Sequence, residues 1–439
     1  MMKWLCSLLL ACVSCSLWAT SADDIQRFTL KNGMQIMVIE DDSIPNANMY
    51  LFWKVGSRNE APGITGISHF FEHMMFNGAK TYGPKQFDRT MEAAGGANNA
   101  YTTENLTVYT NWFPVSAMET IFKLEADRIE HLDIDAAMVE SERRVVTSER
   151  STGLENSNWR TLSEEVKGVA FRAHPYSWPV IGHESDIAAW SLADLQQYHQ
   201  TYYAPNNALV VIAGAVKLAQ VKALAEKYFA PIPAQAPPRS IKTVEPKQKG
   251  ERRVFVHKAS VSTPNIMLAY HVPATKDADY YGLDLLAGIL SEGNSSRLSR
   301  ALIDKQIAIA AETYMPQSFD PNLFYIYAIA APKVSAKQLE QALLQPIENI
   351  AKNGVTEAEL SKVKNMRLMD FYRAMETING KANTIGSYEL YFGDMNKLFD
   401  APAAYSQVTP ADIQRIAQQF LKRENRTVGV LSSAKESGL

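Results

Sequence analysis

With 439 residues, 46% of them hydrophobic and 21% charged, and a formal net charge of −3, the chain has a globular balance and enough length for two or more domains. It lacks the basic surplus that a nucleic-acid partner requires, and it lacks the hydrophilic bias of a disordered chain.

Lys3 leads into an apolar run from Leu5 to Trp18, after which Thr20, Ser21 and Ala22 precede Asp23 and Asp24. A membrane anchor needs about 20 apolar residues, so this shorter run with a small-residue end reads as a secretory signal peptide over 1–22, cleaved after Ala19 or Ala22. No stable membrane span is expected. All three cysteines, Cys6, Cys12 and Cys15, lie inside that segment, so the mature chain would have no disulfide and would depend on a large core. Leu9-Leu10-Ala11-Cys12 fits a lipoprotein processing site poorly, and lipid anchoring is not expected.

Between Arg27 and Glu40 apolar residues alternate around Asn32-Gly33, a hairpin signal, and a strand follows at Asn48–Val55. Helical periodicity covers Ile64–Phe76 and stops at Asn77-Gly78, where both residues tolerate a left-handed backbone. A helix at Lys85–Ala94, strands at Ala97–Thr103 and Leu106–Phe113, and helices at Ala117–Ile129 and Ala136–Arg150 complete this part. Hairpins and meanders interleaved with helices predict an α+β fold, a mainly antiparallel sheet covered by helices.

The Pro-rich stretch 231–249 reads as a linker between a first domain over 23–230 and a second over 250–439. The two sides share a pattern: Ala193-Asp194-Leu195-Gln196 through Asn207-Ala208-Leu209-Val210 recurs as Ala411-Asp412-Ile413-Gln414 through Asn425-Arg426-Thr427-Val428. Each pairs a helix with a following apolar strand at equal spacing, which implies an internal duplication.

The most informative segment is Gly66-Ile67-Ser68-His69-Phe70-Phe71-Glu72-His73-Met74. Four apart on a helix, His69 and His73 project from one face and can share a tetrahedral metal. Glu72 sits at the edge of that face, placed to take a proton from water without ligating the metal. Zinc fits neutral imidazoles, and a site with three protein ligands keeps a position open for chemistry. The helix ending near Arg150 offers Glu142 and Glu149, seven apart and so on one face; Glu149 is assigned as third ligand and Glu142 as a supporting carboxylate that orients the histidines or tunes the site.

His-x-x-Glu-His is the inverted zinc motif, and nearly the whole mature chain resembles the pitrilysin/insulinase family, in the half-length form of the mitochondrial processing peptidase subunits. The family's third ligand lies in a segment like Glu142-Arg143-Arg144-Val145-Val146-Thr147-Ser148-Glu149, and Glu149 falls at the family spacing from His73. The resemblance implies two duplicated domains forming half of a clamshell, one Zn2+ per chain, and a sheet edge at Asn99-Ala100-Tyr101-Thr102 on which Asn99 and Ala100 contact substrate through main-chain pairing. Gly56-Ser57-Arg58-Asn59-Glu60, His174-Pro175-Tyr176 and Ile181-Gly182-His183 also resemble family segments, the last two read as structural.

Relatives usually carry an arginine and a tyrosine, seven apart, that hold the substrate from the second domain. Here Ile303 and Ala310 stand at those positions; Arg300 with Ile307, or Arg297 with Tyr314, does not restore the pair. The expected protein is therefore a periplasmic zinc endopeptidase acting on peptides, completed by a homologous partner subunit in a heterodimer or homodimer. The alternative is a non-catalytic assembly or peptide-binding subunit of the same fold.

Overall fold

Asn32-Gly33 turns the chain as its composition predicts: Gly33 has φ +85°, and β1 (Ile25–Thr29) returns as β2 (Gln35–Glu40) in antiparallel register. The computed structural model describes residues 21–433, so nearly all of the expected signal segment, 1–20, lies outside the described residues. The first half continues through β3 (Asn46–Trp53), α1 (Ile67–Met74), α2 (Gln86–Ala93), β4 (Ala97–Thr102), β5 (Thr107–Pro114), α3 (Met118–His131), α4 (Ala136–Asn156), α5 (Asn158–Ala170), α6 (Glu184–Ala189), α7 (Leu192–Tyr202), β6 (Ala208–Gly214) and α8 (Leu218–Tyr228). The second half runs β7 (Arg252–His257), β8 (Asn265–Val272), α9 (Tyr280–Ser291), β9 (Ala308–Tyr314), β10 (Asn322–Ala330), α10 (Ala336–Asn353), α11 (Glu357–Glu376), α12 (Ile378–Phe392), α13 (Asn396–Gln407), α14 (Pro410–Phe420) and β11 (Arg426–Ser432). No helix among the described residues is long and apolar enough to cross a membrane.

The strands form two sheets, ordered β1-β2-β6-β3-β5-β4 and β7-β11-β8-β10-β9. In each, one pair is parallel, β2 with β6 and β7 with β11, and every other pair is antiparallel. Strand for strand, β2-β6-β3-β5-β4 therefore repeats as β7-β11-β8-β10-β9, and β1 is an addition. The repeated sequence pattern occupies equivalent places. Ser191 and Thr409 begin α7 and α14 with the same reciprocal cap, each closed by an aspartate, Asp194 or Asp412. Asn207 donates to the Tyr202 carbonyl and Asn425 to the Phe420 carbonyl, both at 2.8 Å, tying each helix end to the strand that follows. The fold is α+β with two duplicated, mainly antiparallel sheets.

Every residue of β6 and of β11 is buried, as their unbroken apolar runs require when both faces of a sheet are covered. The second cover comes from the other half. Helix α12 lays Ile378, Ala382 and Ile385 on Phe52, Val108, Leu209 and Val211 of the first sheet, while α5 lays Leu162, Val166 and Ala170 on Met267, Ala269, Tyr325 and Leu431 of the second. Gly386 permits the close seat of α12, since a Cβ there would fall 2.3 Å from the Phe52 ring. The Pro-rich stretch also differs from a free linker. It has no helix or strand, but the Glu245 carboxylate accepts the backbone N–H groups of Arg172, Ala173 and His174 at 2.9–3.0 Å, and Gln248 donates to the Arg426 carbonyl at 2.7 Å. The strap's own side chains thus pin it to both halves.

Because each half covers the other's sheet, the described chain should unfold as one cooperative unit. Gly386→Val should lower stability by about 1–3 kcal/mol through overpacking, read as a downward shift of a single calorimetric transition; two separate transitions in the wild type would contradict the exchange.

Candidate metal centre

Helix α1 is short, and its start is fixed by a buried acid. Glu60 accepts the backbone N–H groups of Gly66 at 2.7 Å and Ser68 at 2.8 Å, serving the donors that a helix start leaves unpaired. Burial raises the Glu60 pKa to about 8, against those same hydrogen bonds. Gly66 also touches the Ile181-Gly182 segment, with no room for a Cβ beside the Ile181 carbonyl. Ile67, Phe70, Phe71 and Met74 face the core, which turns His69 and His73 toward α4 and Glu72 toward Thr102 of β4.

Helix α4 brings Glu142 and Glu149 opposite them. Glu149 Oε2 lies 3.6 Å from His69 Nε2 and 3.4 Å from His73 Nε2, and the three ligand atoms fall within 4.8 Å of one another. Tetrahedral zinc with bonds of about 2.1 Å separates its ligand atoms by about 3.4 Å, so the two nitrogen–oxygen distances suit ligands around a shared ion better than a direct hydrogen bond. The donor set of two imidazoles and one carboxylate suits zinc. His73 Nδ1 meets Glu142 Oε1 at 2.8 Å, and Asn77 holds the other Glu142 oxygen at 2.8 Å. That bond orients the His73 ring and leaves Nε2 aimed at Glu149. His69 Nδ1 is buried without a hydrogen-bond partner.

Two carboxylates against two imidazoles make a place that favours positive charge. Burial opposes protonation of His73, but Glu142 and Glu149 outweigh it and raise the pKa to about 9. His69 is driven down to about 4, chiefly by burial. His73, hydrogen-bonded to Glu142 and 3.4 Å from Glu149, lowers both carboxylates in turn. Glu72 is raised by burial, opposed by a 2.6 Å hydrogen bond from Thr102 Oγ1 that fixes its carboxylate beside the cluster.

His69, Glu72, Tyr101, Thr102 and Glu149 line one cleft of about 380 Å3. Thr102 ends β4, which pairs with β5 on one side and has no strand neighbour on the other among the described residues. Asn99 is exposed and Ala100 half-buried on that edge strand. His174 sits away from the cluster, with Nε2 3.3 Å from Asp320, and Asp320 also pairs with Arg58, so this segment ties the two halves together. Of the expected arginine and tyrosine positions, Ala310 lies in β9 and Ile303 just before it. Arg297 is engaged by Glu359 at 2.5 and 2.9 Å. Sequence reasoning singled out no role for Thr102, Asn77 or Glu60, although each stood in a segment noticed for another reason. A carboxylate six residues ahead of a helix start and an amide at a helix stop were the available signals.

The cluster has the donor set of a metal site, and comparison with known proteins shows the family to which the fold belongs. Residues 36–184 match the profile "Insulinase (Peptidase family M16)", and 189–367 match "Peptidase M16 inactive domain". The zinc protease PqqE of Helicobacter pylori is 32% identical over 429 residues, 96% of each chain. The crystal structure of a protease from Helicobacter pylori superposes with a TM-score of 0.90 at 31% identity, covering 93% of this chain and 99% of that one. The periplasmic protease PqqL from Escherichia coli superposes at 0.79 with 20% identity, over 95% of this chain and 48% of that one. The chain belongs to the insulinase family of peptidases, family M16, as a half-length member.

Glu142→Gln should weaken zinc affinity by about 10–100-fold, measured by competition with a chromophoric chelator. Unchanged affinity would show that the contact with Nδ1 does not orient His73 for the metal.

Proposed function

We propose that the chain is a zinc-dependent endopeptidase that hydrolyses peptides or unfolded segments, with His69, His73 and Glu149 holding one Zn2+ and Glu72 as general base. The observation that carries this reading is the convergence of the three ligand atoms within 4.8 Å, in the same cleft as a half-buried carboxylate fixed by Thr102. Bound zinc supplies a Lewis acid that polarises the peptide carbonyl and makes water a better nucleophile. Glu72 takes the proton from the attacking water and returns it to the leaving amine, and its raised pKa suits both transfers. Glu142 keeps His73 in the tautomer that presents Nε2 to the metal. The open edge of β4 at Asn99 and Ala100 binds the substrate main chain as an added strand, placing a peptide bond beside Glu72.

A homologous partner subunit completes the site. Ile303 and Ala310 cannot make the contacts of an arginine and a tyrosine, and this chain spans about half the length of PqqL. Export to the periplasm follows from the reading of 1–22 as a signal peptide.

Zinc content and peptide cleavage, measured for the wild type and for Glu72→Gln with and without the partner, test the proposal. Glu72→Gln should keep zinc and lose at least about 100-fold in kcat/KM, whereas His69→Ala should lose the metal because two protein ligands hold zinc poorly. No cleavage by the wild type in any pairing would favour an assembly or peptide-binding subunit; full activity of the isolated chain would remove the need for a partner.

A further inference from the structure

The cleft that holds the metal cluster continues along α5, where Arg160 forms part of its wall. Its other cations are already neutralised. Arg150 forms a two-pronged pair with Glu164 at 2.5 and 3.1 Å, and Lys167 pairs with Glu104. The Arg160 guanidinium has neither an ion pair nor a hydrogen bond among the described residues; only its main chain is bonded, at the start of α5. It shares the lining of this cleft with His69 and Glu149, beside the cluster. It rests against α4 at Gly153, where a Cβ would fall 2.6 Å from Nη1, and it lines the groove on the outer side of α4 as well.

A guanidinium is a fork of donors matched to a carboxylate. With Glu149 and Glu72 committed to the metal and the proton, Arg160 is the cleft charge left for a ligand. We propose that Arg160 is a specificity-determining residue that selects peptides carrying a carboxylate within a few residues of the cleaved bond. The inference rests on the peptidase reading above for its substrate class, and it predicts a preference for acidic over neutral and basic residues at that subsite.

Peptides with blocked termini, differing only by Asp, Asn or Lys at one of the positions flanking the cleavage site, are titrated by fluorescence anisotropy against the zinc-loaded Glu72→Gln chain. The same set with a free C-terminus separates a side-chain carboxylate from a terminal one. The Asp peptide should bind at least about threefold more tightly than the Asn peptide at one position, the size expected for a partly solvated charge pair. Adding Arg160→Gln should bring that ratio to about one, and Arg160→Glu should favour Lys, with zinc content measured in each protein. An unchanged Asp-to-Asn ratio in Arg160→Gln, or equal binding of all peptides to the parent chain in both sets, would overturn the assignment. Cleavage by the chain with native Glu72, with and without the partner subunit, is measured alongside: acid-selective binding without turnover in any pairing sinks the peptidase reading and keeps the subsite, and turnover without selectivity does the reverse.

Discussion

Two helices from distant parts of the chain must approach to within the width of one ion, and the 2.8 Å contact between His73 Nδ1 and Glu142 fixes that approach. A hydrogen bond between an imidazole and a carboxylate is stronger and more directional than a neutral one. It sets the ring angle of His73, and Glu149 stands two turns further along the same helix. If α4 rotated or slid by one residue, Glu142 would leave Nδ1 and Glu149 would leave both Nε2 atoms. The rest of the first half holds those helices at that distance: Glu60 pins the start of α1, and Ile67, Phe70, Phe71 and Met74 anchor it in the same core that receives Val139 and Val146 of α4.

The duplicated half shows the same helix pair under a different constraint. Helix α9 follows β8 as α1 follows β3, and α11 is the long helix of the second half as α4 is of the first. There the guanidinium of Arg367 on α11 joins Asp284 and Glu292 at 2.6 Å each, so a side-chain cation supplies the positive charge between the helices. Gly288 and Val363 meet where α9 and α11 pack; a Cβ on Gly288 would fall 2.4 Å from Val363. One architecture thus holds a half-buried ion pair between these helices in one half and the His69, His73 and Glu149 cluster in the other.

How much could be read from the sequence follows from how local each feature is. His69, Glu72 and His73 lie within five residues, so helical spacing alone puts them on one side. Glu142 and Glu149 share a helix face for the same reason, and the structure brings both to His73, Glu142 at 2.8 Å from Nδ1 and Glu149 at 3.4 Å from Nε2. The hairpin at Asn32-Gly33 and the helix-strand repeat around Asn207 and Asn425 were legible because turn and capping residues act over a few positions. The exchange of α5 and α12 was not, since an apolar helix face does not state which sheet it will cover. Nor was the bond from Thr102 to Glu72, which depends on strand register bringing the end of β4 to α1. The strap over 231–249 had the composition of a loose linker, and only the side chains of Glu245 and Gln248 reveal that it is pinned.

The most direct test is an anomalous-difference map, recorded at the zinc edge, from crystals of the zinc-loaded chain. One peak is expected, bonded at about 2.0–2.2 Å to His69 Nε2, His73 Nε2 and a Glu149 carboxylate oxygen, with Glu142 still on His73 Nδ1. A peak elsewhere, or Glu149 turned away from both imidazoles with the metal present, would contradict this coordination.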